Sequence, residues 1–381
     1  MDPRQITEKA EMVALRALPG IDNRQIGRLL ALFGSPAGAW DAIRQGAANG
    51  TSRFSAMARW QEMAAGFNTL ANLQDLQSLG IGVVAKGDQD YPQLLAVTHD
   101  APWVLFYSGR LPRDDRVGIA VIGSRKATPY GLEVARMLGG ELAGYGVNVI
   151  SGAAYGIDSA AHQGALECGG FTTAVLGCGV DVAYPRSNSP LFRRIAESGC
   201  ILSEYPPGTH PAKHHFPARN RIIAGLSKAV VVVEAAEDSG ALLTVDSALA
   251  EGRDVMAVPG NLFSHNSKGT NALIRNGAMV VTRPEDVIRE LDLKSCRLSA
   301  QVSRDGFSHV ETSKEEAALA RALAAGISDV EELSTETGLS AADTLARLSR
   351  LEIAGAVIRG PGGRYFLSGE AQESISKNPT T

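Results

Sequence analysis

Between residues 117 and 282 seven short apolar runs recur, each followed by a stretch of helical periodicity, and that alternation leaves the chain few folds to choose from. The runs are Val117–Ile122, Val147–Ser151, Thr172–Leu176, Cys200–Ser203, Ala229–Glu234, Asp254–Val258 and Met279–Thr282. NVIS and AVVVVE lack polar alternation, as strands buried on both faces of a parallel sheet do. Right-handed crossovers then bring every strand-to-helix loop to the carboxyl edge of the sheet. The expected fold is α/β: an extended Rossmann-like, doubly wound, mostly parallel sheet. Two earlier runs, Ile81–Ala85 and Val104–Tyr107, read as strands leading into it.

The sheet accounts for only part of a 381-residue chain, so further domains flank it. Residues 1–75 are rich in Ala, Leu and Gln and periodic as helices, an N-terminal helical unit of the SAM or helix-hairpin-helix kind. Within it, ALRALPGIDNRQIGRLLALFGS predicts a helix ending at Leu18, a turn at Pro19–Gly20 and a second helix to Phe33, capped by Gly34. A helix-hairpin-helix turn can hold a DNA phosphate. Here Asp22 stands where that motif usually has glycine and flanking charge is sparse, which favours a packing role. Residues 76–292 hold the sheet domain, and 293–314 are polar and weakly patterned, a linker. Residues 315–368 predict three helices, then the hairpin GAVIRGPGGRYFLS with a tight Pro-Gly-Gly turn, the pattern of a winged-helix domain. Residues 369–381 read as a disordered tail.

Composition excludes several classes. No apolar run reaches the roughly 18 residues of a membrane span. The start, MDPRQITEKAEM, lacks an apolar signal core, and the four cysteines have no CxxC spacing. Reduced thiols in a cytoplasmic protein are the expectation. A net charge of −4 argues against broad nucleic-acid affinity but leaves room for a local basic cleft. GxxxxGK[ST] is absent, so this is not a P-loop NTPase.

Five loops collect at the carboxyl edge. The first, Gly123-Ser124-Arg125, joins a strand to a helix, a geometry that aims backbone N–H groups at a phosphate, though GxGxxG spacing is incomplete. The second, SGAAYGIDSAAH, is bare at Gly152 and Gly156, and the third is GCGVDVAYP. The fourth, EYPPGTHPAKHHFPARNR, is the most informative: from Tyr205 to Val233 there is no acidic residue, while Lys213, Arg219, Arg221 and Lys228 all lie there. Phe216 sits among these cations, and an aromatic ring among positive charges suits single-stranded nucleic acid, charges for the backbone and a ring for an unstacked base. Phe216 could equally anchor a long loop, and Arg219 or Arg221 could pair with Glu204 or Asp181. The fifth, EAAEDSGALLT, opens a helix at Ser239–Gly240. Asp158 and His162, four apart, could be an acid–base pair, but a helix-terminal carboxylate and a packing histidine are favoured. His210, His214 and His215 lack the spacing of a metal site. The competing function is a Rossmann-type nucleotide or phosphoribosyl hydrolase using Asp158, His162 or Glu234.

VIGSRKATPYG, SGAAYGIDSAAH, AVLGCGVDVAYPRSN, SEYPPGTHP, FPARNRIIAGLS, VVVVEAAEDSGALLT, GRDVMAVPGN and GTNALIRNGA, in this order over about residues 80–290, resemble the DNA-processing protein A family (DprA, also called Smf). The chain departs from the family at Ala153 and Tyr155, where Leu and Arg are commoner. The resemblance implies a non-enzymatic recombination mediator of natural transformation. Such a protein binds and protects incoming single-stranded DNA, loads the recombinase RecA and dimerises; no cofactor, metal or membrane is expected for this chain. It implies that Arg125 grips a phosphate, that Lys213 and Phe216 belong to the DNA pocket with Arg219, Asn220 and Arg221, and that Leu273 and Ile274 form the dimer contact. Gly123, Ser124, Gly152, Ser239 and Gly240 complete the expected DNA-binding set. The winged helix, with Arg347 and Arg350 offset by Asp343 and Glu352, reads as a weak DNA or protein-interaction module.

Overall fold

The computed structural model describes residues 3–46, 56–112, 114–293, 314–324, 327–353, 356–359 and 365–367. The chain divides into two units, residues 1–300 and 301–381. The first opens with five helices, α1 (Pro3–Ala17), α2 (Asn23–Phe33), α3 (Pro36–Arg44), α4 (Met57–Ala65) and α5 (Thr69–Ser78). Next come β1 (Gly82–Ala85), α6 (Gln93–Ala96) and β2 (Val104–Gly109). Strand and helix then alternate: β3 (Gly118–Ile122), α7 (Pro129–Gly144), β4 (Asn148–Ser151), α8 (Ile157–Glu167), β5 (Thr172–Leu176), α9 (Ser189–Ser198) and β6 (Cys200–Ser203). The series ends with α10 (His215–Leu226), β7 (Ala229–Val232), α11 (Leu242–Ala250), β8 (Asp254–Ala257), α12 (Lys268–Arg275), β9 (Met279–Val280) and α13 (Pro284–Glu290). No helix of the described residues is long and apolar enough to cross a membrane.

The nine strands form one sheet in the order β1-β2-β6-β5-β4-β3-β7-β8-β9. From β6 to β9 neighbouring strands are parallel, and the antiparallel pairs β1–β2 and β2–β6 close one side. Period-two alternation splits each central strand between two cores. Ile119 and Val121 of β3 join Leu138 and Leu142 of α7 and Ala161 of α8. Ala120 and Ile122 join Ile222 and Ile223 of α10 and Val245 of α11. The chain builds β4, β5 and β6 to one side of β3, then crosses to build β7, β8 and β9 on the other. That reversal opens a crevice at the carboxyl ends of β3 and β7, where ligands bind in such sheets. Strand β7 stops at Val232, two residues short of the run read from sequence, because Glu234 turns away to bond the start of α7.

The N-terminal helices pack on the sheet: Leu15, Ile26, Trp40 and Trp60 share a core with Phe106 of β2 and Ile201 of β6. In the α1–α2 turn, Asp22 caps α2, accepting the Gln25 N–H at 2.7 Å while its own N–H donates to Gln25 Oε1 at 2.9 Å. A side-chain cap is what glycine could not supply there. Asn23 ties this turn to the approach to β2, donating to Asp100 Oδ1 at 2.6 Å and accepting the Trp103 N–H at 3.0 Å.

The second unit is a winged helix: α14 (Lys314–Ala324), α15 (Val330–Thr337) and α16 (Ala341–Ile353) followed by the antiparallel strands β10 (Val357–Arg359) and β11 (Tyr365–Leu367). Leu319, Leu333, Leu348 and Tyr365 form its core. On α16, Arg347 and Arg350 meet Glu315 and Glu316 of α14 at 3.7 and 3.6 Å. The Pro-Gly-Gly turn, most of the linker and the tail lie outside the described residues.

Candidate nucleic-acid interface

At the crevice above β3 and β7 the N-terminus of α7 is already engaged. Glu234, 3% exposed, turns its carboxylate onto the N-terminus of α7, accepting the Thr128 N–H at 2.9 Å and the Thr128 hydroxyl at 2.5 Å. Gly131 leaves room for it, since a Cβ there would overlap the carboxylate. A helix N-terminus favours an anion, and here the chain supplies its own. This corrects the expectation of an open phosphate nest at Gly123 and Ser124. The Ser124 N–H donates to the Glu234 carbonyl at 2.7 Å, and Gly123 is bare because a Cβ would press on that carbonyl and on Ile157.

Three other expected contacts also turn inward. Arg219 is 4% exposed; its Nη1 donates to the carbonyls of Gly152, at 2.8 Å, and Val175. Burial pushes its pKa down to about 10, with Asp158 opposing the shift. It thus ties the ends of β4 and β5 to α10. The Gly152 N–H donates to Asp158 Oδ2 at 3.1 Å. Arg221 Nη2 donates to Glu204 Oε2 at 2.7 Å while its Nε lies 3.1 Å from Asp100. Of the two partners weighed for it, Glu204 is the one found; Asp181 accepts the Gly208 N–H at 2.9 Å.

The hydrolase candidates are likewise engaged. Asp158 is buried under the start of α8 among the Gly152 and Ala154 N–H groups, and burial raises its pKa. Thr172 donates its hydroxyl to the Val149 carbonyl at 2.6 Å, so His162 Nδ1, 2.6 Å from the same oxygen, is the protonated nitrogen. Burial lowers the His162 pKa to about 3 and the ring is neutral.

What remains outward is a compact set from four strand ends. Phe216, half-buried in the first turn of α10, has the Arg125 guanidinium 5.3 Å from its ring centroid and the Tyr184 ring at 5.5 Å, tilted 33°. Gly177 lies against its edge, where a Cβ would be 3.0 Å from Phe216 Cδ1. Arg125 and Lys213 are exposed and form no salt bridge among the described residues. Asn220 reaches the Gly240 carbonyl at 3.5 Å, setting the Ser239–Gly240 corner beside α10. His215 donates from Nδ1 to the Gly177 carbonyl at 3.1 Å and stacks on Tyr205 at 4.0 Å, which fixes the start of α10. Sequence reasoning missed Tyr184 and Tyr155, 44% and 50% exposed. The available signal was a large aromatic in each of two carboxyl-edge loops. Leu273 and Ile274 lie half-buried on α12, away from this set in sequence and on the far side of β7.

Comparison with known proteins gives the family. The family model described as DNA recombination-mediator protein A matches residues 82–292, and that of the DprA winged helix domain matches residues 307–363. The DNA processing protein DprA of Streptococcus pneumoniae is 46% identical over 209 residues, 54% of this chain and 72% of the relative. Protein Smf of Escherichia coli is 38% identical over 287 residues, 74% of this chain and 76% of the relative. The solved S. pneumoniae DprA superposes with a TM-score of 0.65 at 37% identity, covering 74% of this chain and 97% of that one. DprA of Helicobacter pylori, described for its single-stranded DNA binding mode, superposes with a TM-score of 0.51 at 30% identity, over 55% of this chain and 95% of that one. The chain belongs to the DNA recombination-mediator protein A family.

Proposed function

We propose that the protein binds single-stranded DNA without sequence preference along the carboxyl edge of its sheet and serves as a recombination mediator. In this role it protects incoming strands in the cytoplasm and loads RecA onto them during transformation. The observation that carries the DNA-binding role is the half-buried Phe216 ring in contact with both the exposed Arg125 guanidinium and the Tyr184 ring, three residues after the exposed Lys213. Cations hold the phosphodiester and the rings take unstacked bases. Arg125 and Lys213 are the direct backbone ligands, with Ser239, Gly240 and Asn220 at the margin. Arg219, Arg221 and Gly152 hold the loops that present them. Binding rather than turnover is favoured by the internal engagement of Asp158, His162 and Glu234.

The test is single-strand affinity as a function of salt. Arg125→Ala is expected to lower affinity and make the log–log salt slope shallower by about 0.7, one phosphate. Phe216→Ala is expected to lower affinity by about 1–3 kcal/mol at unchanged slope. An unaltered slope in the first variant and unaltered affinity in the second would remove the proposal. Homodimerisation through α12 is part of the same proposal. Ile274→Glu should convert a dimer to a monomer in light scattering, since a charge at an apolar interface is left without a partner.

A further inference from the structure

We infer that Tyr155, with Arg186, forms a second base-stacking subsite, so that a bound strand continues from the Phe216–Tyr184 pair along the Arg186–Asn188 turn. This rests on the single-strand reading above and extends it to residues that reading does not use. Tyr155 stands in the β4–α8 loop with half its surface in solvent. The loop under it is cross-bonded: Asn188 Nδ2 donates to the Ala153 carbonyl at 3.2 Å and to Ser159 Oγ at 2.8 Å, and the Ser159 hydroxyl donates to the Ala154 carbonyl at 2.5 Å. Ser187 donates its hydroxyl to the Tyr155 hydroxyl at 3.0 Å, which fixes the ring relative to the Arg186–Asn188 turn. A ring held this way loses little freedom on stacking, which is what preorganisation contributes to affinity.

Placement joins this ring to the first platform from both sides. Toward β5, the turn that holds Tyr155 begins two residues after Tyr184, whose ring meets Phe216. Toward β3, Gly156 packs on the first loop, where a Cβ would lie 2.9 Å from the Arg125 carbonyl oxygen. Strands β3, β4 and β5 are consecutive neighbours, so the loops bearing Arg125, Tyr155 and Tyr184 follow one another along a single edge. Arg186, in the turn that bonds Tyr155, is exposed and has no carboxylate partner among the described residues, which leaves a cation for a phosphate beside that ring. An exposed ring with an unpaired cation in the loop that holds it repeats the chemistry of Arg125 and Phe216 at the neighbouring strand ends.

The experiment measures binding of a fluorescent oligothymidylate by wild type and by Tyr155→Ala, Tyr155→Leu, Tyr155→Trp, Arg186→Ala and Phe216→Ala, each across a salt series and with the thermal midpoint recorded. Tyr155→Ala and Tyr155→Leu should weaken binding roughly 5- to 150-fold without changing the salt slope, while Tyr155→Trp, which keeps the π face and gives up only the Ser187 bond, should bind more tightly than either and close to wild type. Arg186→Ala should make the slope shallower by about 0.7. If Tyr155→Ala and Tyr155→Leu bind as wild type while Phe216→Ala is weakened, the second subsite is overturned and the single-strand reading stands. If Tyr155→Trp is as weak as Tyr155→Leu, stacking at this position is overturned. Absence of oligothymidylate binding by the wild type would overturn both.

Discussion

An arginine's direction decides whether it belongs to a site or to a scaffold, and in this chain three arginines of the carboxyl-edge loops take different parts. Arg125 ends over the Phe216 ring, Arg219 ends on buried carbonyls, and Arg221 ends on Glu204 and Asp100. The acid-free run from Tyr205 to Val233 marked this region as basic, but it could not sort these side chains. The partners of Arg219 are main-chain oxygens 44 and 67 residues away, and carbonyls leave no signature in sequence. Glu234 was hidden for the same reason: its partner Thr128 lies 106 residues earlier. His162 shows the energetic side of such burial. Its pKa is lowered to about 3, so the unfolded chain binds a proton below about pH 6.5 that the folded chain refuses. Stability is therefore expected to fall as pH drops from about 6.5 toward 3, by at most about 1.4 kcal/mol per pH unit from this group. His162→Gln keeps a donor for Thr172 but has no titration. Its urea midpoint should be lower than wild type at pH 7.5 and close that gap at pH 5, and a gap that stays constant would show that His162 does not carry the dependence.

Secondary-structure elements were legible almost throughout the sheet, because strands buried on both faces need continuous apolar runs and seven of those runs coincide with β3 to β9 to within two residues at either end. The Asp22 departure in the α1–α2 turn was legible as a sign against a phosphate turn, but the cap it forms on α2 was not. What the pattern could not convey is why α7, a helix reading MLGGELAG, carries glycines that weaken any isolated helix. Packing supplies the reason. A Cβ at Gly139 would overlap the Ala161 carbonyl of α8, and one at Gly164 would overlap the Arg136 carbonyl of α7. The two helices cross backbone to backbone, and that contact sets where α8 begins and hence where the Tyr155 loop stands. Gly164→Ala should destabilise the unit by about 1–3 kcal/mol, since overpacking against main chain outweighs the gain of roughly 1 kcal/mol in helix propensity. Gly144, at the end of α7 with no atom within 4 Å of the place a methyl would take, is the control: Gly144→Ala should be neutral or stabilising by up to about 1 kcal/mol. Thermal melts of the pair separate crowding from propensity, and equal shifts would refute the close crossing.

For the molecule as a whole, a net charge of −4 and a basic carboxyl edge act in opposition. The acidic remainder repels any polyanion at a distance, so the proposed binding rests on short-range contacts at the edge and on the rings that only an unstacked strand can use. Each phosphate neutralised contributes a salt slope of about −0.9 on duplex DNA and about −0.7 on a single strand. With equal numbers of contacts, a tenfold rise in salt therefore costs the duplex about 0.2 log units more per phosphate. Under the proposed function, stacking on Phe216 and Tyr184 is nearly insensitive to salt and is denied to a duplex. The preference for single strands should thus widen as salt rises, even while both affinities fall. Titrating matched single- and double-stranded oligonucleotides at 50 to 300 mM salt, roughly the span over which counterion release dominates, reads this directly. Phe216→Ala should shift the single-strand line down in parallel and narrow the gap at every salt concentration. A wild-type preference that shrinks with salt would mean that phosphate contacts, not rings, distinguish the two forms of DNA, and the edge would then be a general polyanion surface.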